Sequence, residues 1–139
     1  MTAILQPEMS GRRVLVTGAG SGIGLATARA LHRHGARIAA VVQDVSQSAA
    51  VQEQLPQAVV LVQDLLDDTG CGALPAKAAQ ALGGLDALAC CAGIFFKKGS
   101  DETTLQEWRQ TLELNLNSDR KSTRLNSSHL RLSRMPSSA

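Results

Sequence analysis

The chain has 139 residues, which fits one domain, and 44% of them are hydrophobic, enough for a packed core. Aromatics are only 2%, namely Phe95, Phe96 and Trp108, so that core must be built from Val, Leu, Ile and Ala. The net charge of +2 is unevenly placed: residues 1–118 carry nine Lys/Arg against eleven Asp/Glu, residues 119–139 five against one, and the body gives no electrostatic reason to expect nucleic acid or membrane.

Residues 1–13 lack a continuous apolar stretch, so no signal peptide is expected. Arg13 to Thr17 (RVLVT) is a short apolar run ending at glycines and suits a buried strand. Gly22 to His34 reads as a helix with Ile23, Ala26, Thr27, Ala30 and Leu31 on one stripe, ended by Gly35. His32 and His34 fall in its last turn, where favourable interaction with the helix dipole or plain solvation is the expected role. Ala36 to Val42 is a second strand, and Ser46 to Leu55 a modest helix stopped by Pro56. Ala58 to Gln63 is a third strand. Asp67 to Leu82 contains an Ala-rich helix closed by Gly83 and Gly84. Asp86 to Cys91 (DALACC) is a fourth strand, followed by a loop to about Thr103. Thr104-Leu-Gln-Glu107 has the capping-box pattern, and the helix after it carries Trp108, Leu112, Asn115 and Leu116 on one face, with Trp108 expected in the core. Phe95 and Phe96 read either as the lining of a substrate mouth or as cover for the core edge. Lys97 and Lys98 read as a solvated loop.

The three cysteines, Cys71, Cys90 and Cys91, are odd in number and have no metal-type spacing. Cys90 and Cys91 lie in an apolar run where buried thiols are ordinary. A reducing, cytoplasmic setting is the simplest expectation, with no metal. No run approaches the roughly 20 apolar residues of a membrane span.

The strand runs are apolar throughout rather than alternating, which means burial on both faces. With helices between them, that predicts an α/β doubly wound parallel sheet.

VTGAGSGIG spans Val16 to Gly24, with glycines at 18, 20, 22 and 24 between a strand and a helix. A phosphate there would meet backbone N–H groups at a helix N-terminus. Gly18 permits the tight turn, Gly22 lets the backbone approach a pyrophosphate, and Gly24 lets the helix pack closely. The missing Lys argues against a P-loop. A flexible surface turn is the bland alternative, and the strand-turn-helix setting argues against it.

Taken together, these stretches resemble the short-chain dehydrogenase/reductase family. Thr17-Gly-Ala-Gly-Ser-Gly-Ile-Gly24 matches its T-G-x-x-x-G-x-G motif. Asp64-Leu65 matches the pair bordering the adenine, Cys90-Cys91-Ala92-Gly93 stands where the family has N-N-A-G, and Asn115 in LELNLN matches its helical asparagine. The resemblance implies strand order 3-2-1-4, and a fold truncated here after the fourth strand and the next helix. It implies NAD or NADP held by Gly18, Ser21, Gly22, Ile23 and Gly24, by Val42 and Gln43 at the end of the second strand, by Asp64 and Leu65, and by Cys91, Ala92 and Gly93. In the family the second strand often ends in an acid for the ribose of NAD, or is followed by a base for the phosphate of NADP. Asp44, 20 residues after Gly24, is near the spacing of a ribose acid, or is a solvated turn residue. With no cation for the extra phosphate, the balance is to NAD.

In the family a tyrosine is the general acid/base, a lysine four residues later lowers its pKa from about 10, a serine orients the carbonyl, and the asparagine holds a relay water. The chain contains no tyrosine. Asn115 is the only relay member that can be placed, and the chain is expected to be a non-catalytic fragment of an NAD(P)-dependent oxidoreductase acting on an alcohol or carbonyl. The complete parent is expected to be a homo-oligomer. A dinucleotide-binding or regulatory protein is the competing class.

Residues 1–118 thus read as a dinucleotide-binding part, and residues 119–139 as a basic tail. One reading of that tail is a partner-binding segment. The other is that it is not native, because DRKSTRLNSSH resembles a common sequencing-library adapter translated in frame.

Overall fold

The computed structural model describes residues 8–124. In chain order they form β1 (Arg13–Thr17), α1 (Gly22–Arg33), β2 (Arg37–Val42), α2 (Val45–Gln54), β3 (Val59–Val62), α3 (Asp68–Leu82), β4 (Ala87–Cys90) and α4 (Leu105–Leu112). A single π-helical turn, Glu113–Asn117, then leads into α5 (Ser118–Arg124). The four strands are parallel in the order β3-β2-β1-β4, with Val14 opposite both Ile38 and Ala87 and Thr17 opposite Cys90. This is the α/β doubly wound arrangement anticipated from the apolar strand runs.

Each strand sends alternate side chains to two different cores. Val14 and Val16 of β1 and Ile38, Ala40 and Val42 of β2 pack with Ala28 of α1 and Val51 of α2. Leu15, Ala39 and Val41 face the other way, against Cys71, Leu74, Ala78 and Leu82 of α3. Burial of one such Val or Leu side chain stabilises the fold by about 1.5–3 kcal/mol, so both faces must be covered for the sheet to hold.

The helices stop and start where local chemistry says they should. Gly35, at φ +90°, follows α1, and Gly83, at φ +76°, caps α3. Thr104 and Glu107 form the reciprocal capping box at α4. At the N-terminal end of the sheet, Arg13 grips Asp86 through its backbone N and its Nε and Nη2, at 2.8–2.9 Å, and donates from Nη1 to the Gly83 carbonyl at 2.6 Å. Arg37 Nη1 reaches the Leu82 carbonyl at 2.7 Å. The bound guanidinium holds the Asp86 carboxyl well below the usual carboxylate range. These contacts fix the α3–β4 turn at the end of the sheet away from the glycine loop.

Three expectations need correction. Trp108 is 57% exposed, and Leu105, Leu112 and Leu116 are exposed with it. The residue that packs against the core from this region is Leu114, on the face it shares with Gln110, four residues earlier. Cys90 is exposed and Cys91 half-buried, since β4 is an edge of the described sheet; Cys71 is the thiol that is fully buried. Exposed as a residue, Cys90 still has its thiol in a poorly hydrated corner beside Asp119, which pushes it up to about 12.

The helical path continues past Asp119 to Arg124. Ser118 and Ser122 are buried against α3, with Cys71 Sγ 3.5 Å from the Ser118 carbonyl and from the Ser122 hydroxyl. The rest of the basic tail, His129 included, lies outside the described residues. Among the described residues no helix is long and apolar enough to cross a membrane.

Candidate functional site

The C-terminal ends of the strands carry the loops, and three of these converge. The first is the glycine loop. Ala19 N donates to the Val41 carbonyl at 2.9 Å, tying the loop to β2. Thr17, buried at the end of β1, accepts through Oγ1 from Cys91 N at 3.2 Å and Ala92 N at 3.4 Å. That draws the loop after β4 onto Gly18. A Cβ on Gly18 would lie 2.7 Å from Ala92 N and Cα, and its φ is +65°. The glycine is therefore required both by the turn and by the neighbouring chain. A Cβ on Gly24 would run into the Gly18 carbonyl. Gly22 differs: its φ is +53°, but an added Cβ meets nothing within 4 Å.

That open space lies at the head of α1. Ser21 is the N-cap residue, yet its side chain makes no capping bond, and the first turn holds no acid. The first N–H groups of the helix have no intrahelical partner, so they and the positive end of the dipole are left for an anion from outside.

The second loop leaves β2. Val42 is buried and Gln43 exposed, and Gln43 N donates to Gln47 Oε1 at 3.1 Å. Asp44 is the N-cap of α2. Its Oδ1 accepts from the backbone N of Ser46 and Gln47, at 2.9 and 3.3 Å, and from the Ser46 hydroxyl. The Ser46 hydroxyl, with those two N–H groups, holds its carboxyl below the ordinary range. Asp44, read from the sequence as a ribose acid or a solvated turn residue, is exposed and caps the start of α2.

The third element is the end of β3. Asp64 Oδ1 accepts from Leu66 N at 2.9 Å, and Leu65 is buried. Gln63 Nε2 donates to the Asp64 carbonyl at 3.0 Å and to Asp67 Oδ2 at 3.2 Å, locking the turn that starts α3.

Together these loops enclose a cleft of about 380 Å³. Gly18, Ser21, Gly22, Ile23, Gly24, Val42, Gln43, Asp64, Leu65, Cys91, Ala92 and Gly93 all line it. Asn115 does not line it. Its side chain clamps one peptide unit of the loop after β4, with Oδ1 accepting from Ile94 N at 2.8 Å and Nδ2 donating to the Ile94 carbonyl at 2.9 Å. Each end of the amide thus has one partner on the Ile94 peptide. Cys90 and Cys91 point to opposite sides of the sheet: Cys91 packs on the α1 side, 4.0 Å from Thr27 Oγ1, while Cys90 looks toward Asp119.

Several lining residues carry no cofactor role assigned from the sequence: Gly20, Val41, Gln47, Gln63, Leu66, Ile94, Gln110 and Leu114. Gln110 and Leu114, four apart on one helix, carried a usable signal. Gln47 and Gln63 carried none, being glutamines in polar surroundings. Among the described residues, Asp64 is the only charged one in the lining. The cleft offers walls that are uncharged apart from Asp64, and free N–H groups at one helix head.

Comparison with known proteins agrees with this geometry. A family model described as short chain dehydrogenase matches residues 12–134. The chain is 35% identical to the L-fucose dehydrogenase of Bos taurus, over 90% of this chain and 47% of that protein. It is 31% identical to the glucose 1-dehydrogenase of Gluconobacter oxydans, over 84% of this chain and 46% of that one. Among solved structures, a short chain dehydrogenase from Burkholderia cenocepacia in complex with NADP superposes with a TM-score of 0.80 at 32% identity, covering 89% of this chain and 53% of its own. The chain thus spans about half the length of these relatives. Sequence and architecture agree along that shared half, and the chain belongs to the short-chain dehydrogenase family.

Proposed function

We propose that this chain is the cofactor-binding part of an oxidoreductase that moves hydride between a nicotinamide dinucleotide and a small alcohol or carbonyl compound. One observation carries the reading: the uncapped head of α1 opens through Gly22 into the cleft, with room where a side chain would stand. The residues present fit a dinucleotide. Gly18, Ser21, Gly22, Ile23 and Gly24 take the pyrophosphate, Val42 and Gln43 the adenosine ribose, Asp64 and Leu65 the adenine, and Cys91, Ala92 and Gly93 the second ribose. When bound, the nicotinamide supplies the hydride acceptor or donor. Asn115 positions the loop after β4 that walls this end. Among the described residues the lining contains no Lys or Arg, which supports NAD over NADP.

A tyrosine acid/base is absent from all 139 residues, and on that ground the chain binds the cofactor without turning over substrate. The same absence favours the second reading, a dinucleotide-binding or regulatory protein. The exposed stripe of Leu105, Trp108, Leu112 and Leu116 supports a homo-oligomer of the complete protein. Three free thiols support a reducing, cytoplasmic setting. The domain reading keeps its boundary at Asp119, supported by the adapter-like DRKSTRLNSSH, and sequencing the source DNA across the Asn117 codon tests it.

The binding test is calorimetric titration of NAD and NADP into the folded chain, wild type and Gly22→Val. Binding by the wild type that the valine abolishes supports the reading; affinity indifferent to Gly22→Val refutes it. Reduced nicotinamide formed from a panel of alcohols would overturn the claim of inactivity.

A further inference from the structure

We infer that Gln47, on the first turn of α2, is the residue that reads the 2′ position of the adenosine ribose and so sets the choice between NAD and NADP. The inference rests on the dinucleotide reading above and deepens it. In a strand-turn-helix site of this kind, an acid about 20 residues beyond the glycine loop normally takes the ribose hydroxyl. Asp44 stands at that spacing, but its carboxylate is committed to the start of α2 through Ser46 and Gln47 backbone N–H groups. Val42, where the family often has an acid, has only a hydrocarbon side chain to offer. The corner between the glycine loop and the exit of β2 is left to a different group.

Gln47 fills it. Its half-buried carboxamide spans from one loop to the other, with Oε1 accepting from Gln43 N at 3.1 Å. The same head lies flat on Gly20, so that a Cβ there would come within 2.5 Å of Oε1 and 3.3 Å of Nε2. A side chain at residue 20 would push the Gln47 amide aside. Oε1 is used, whereas Nε2 donates to no protein group among the described residues, and Gln47 lines the cleft. An adenine against Asp64 and Leu65 and a pyrophosphate at Gly22 put the intervening ribose beside this corner. The free N–H groups of Gln47 can donate to a ribose hydroxyl or to a phosphate oxygen. A neutral amide neither repels the phosphate, as a carboxylate does, nor neutralises it, as a guanidinium does. The resulting preference for NAD is shallow.

The test reads the ratio of the NADP and NAD dissociation constants, by calorimetry, on the full 139-residue chain and on Gln47→Glu, Gln47→Lys and Gln47→Ala. The wild type is expected to favour NAD by less than about tenfold. Gln47→Glu, which places an acid favourably in a first helical turn and so should fold, is expected to widen that ratio by about tenfold or more. Gln47→Lys is expected to invert it, and Gln47→Ala to weaken binding and bring the ratio closer to one. If Gln47→Glu leaves the ratio within about twofold of the wild type while Gly22→Val still abolishes binding, the assignment to Gln47 is overturned and the dinucleotide reading stands. A folded wild type that binds neither cofactor overturns both.

Discussion

Gly18 and Gly22 both sit at positive φ in one loop, yet a methyl group added at each should have quite different consequences. At Gly22 the added Cβ meets nothing within 4 Å, so the fold loses only the ease with which glycine adopts φ +53°. That costs about 1–2 kcal/mol. At Gly18 the same backbone strain at φ +65° is joined by a Cβ 2.7 Å from Ala92 N and Cα and 2.9 Å from Cys91 C. Those are backbone atoms, and Thr17 Oγ1 holds them through two hydrogen bonds. Relief requires the loop after β4 to move off Thr17, and each bond lost costs about 0.5–1.5 kcal/mol net. Gly18→Ala should therefore destabilise by about 2–5 kcal/mol against about 1–2 for Gly22→Ala. At roughly 4 °C per kcal/mol, thermal melts followed by circular dichroism should separate the two by several degrees. Equal melting temperatures would show that Thr17 does not pin the loop against Gly18 and would refute the packing argument.

Other outcomes follow from single contacts. Asn115→Leu removes both hydrogen bonds to the Ile94 peptide, about 1–3 kcal/mol of local stability, and should speed hydrogen exchange at the Ile94 amide; an unchanged rate would exclude the clamp. Leu74, fully buried between α3 and the sheet, should cost about 2–5 kcal/mol as Leu74→Ala in urea unfolding, and a loss below about 1 would place it outside the core. The Lys98 ammonium, 2.5 Å away, together with the Thr104 N–H, holds the Glu107 carboxyl down at about 2 from its ordinary 4.5. A depressed carboxylate stabilises the fold fully above pH 4.5, and its contribution is lost as pH falls through about 2. The Glu107 carboxyl resonance should titrate accordingly, and Lys98→Met should raise its midpoint; a wild-type midpoint near 4.5 would dispose of the pair.

The sequence by itself determined the architecture. RVLVT, ARIAAVV, AVVLVQ and DALACC carry unbroken apolar interiors, with polar residues only toward their ends, because both faces of a parallel sheet are covered, and that pattern is local. Helix boundaries at Gly35, Gly83 and Thr104 were equally local, being set by left-handed glycines and a capping box. The glycine loop announced an anion site because its chemistry lies in consecutive residues.

What only the tertiary structure decided is which side chains those elements bring together. Asp44 looks the same in sequence whether it caps α2 or faces a ribose; the path of the chain after β2 gives it to the cap. Gln47 acquires a role only because Gly20, far from it in sequence, lies beneath its amide. Trp108 was assigned inward with Leu112 and Leu116, but the helix packs through the face of Gln110 and Leu114 and leaves that stripe exposed. A period, a cap and a turn depend on neighbours a few residues away and can be read along the chain. A contact between loops depends on where the whole sheet puts them, and no stretch of sequence records that.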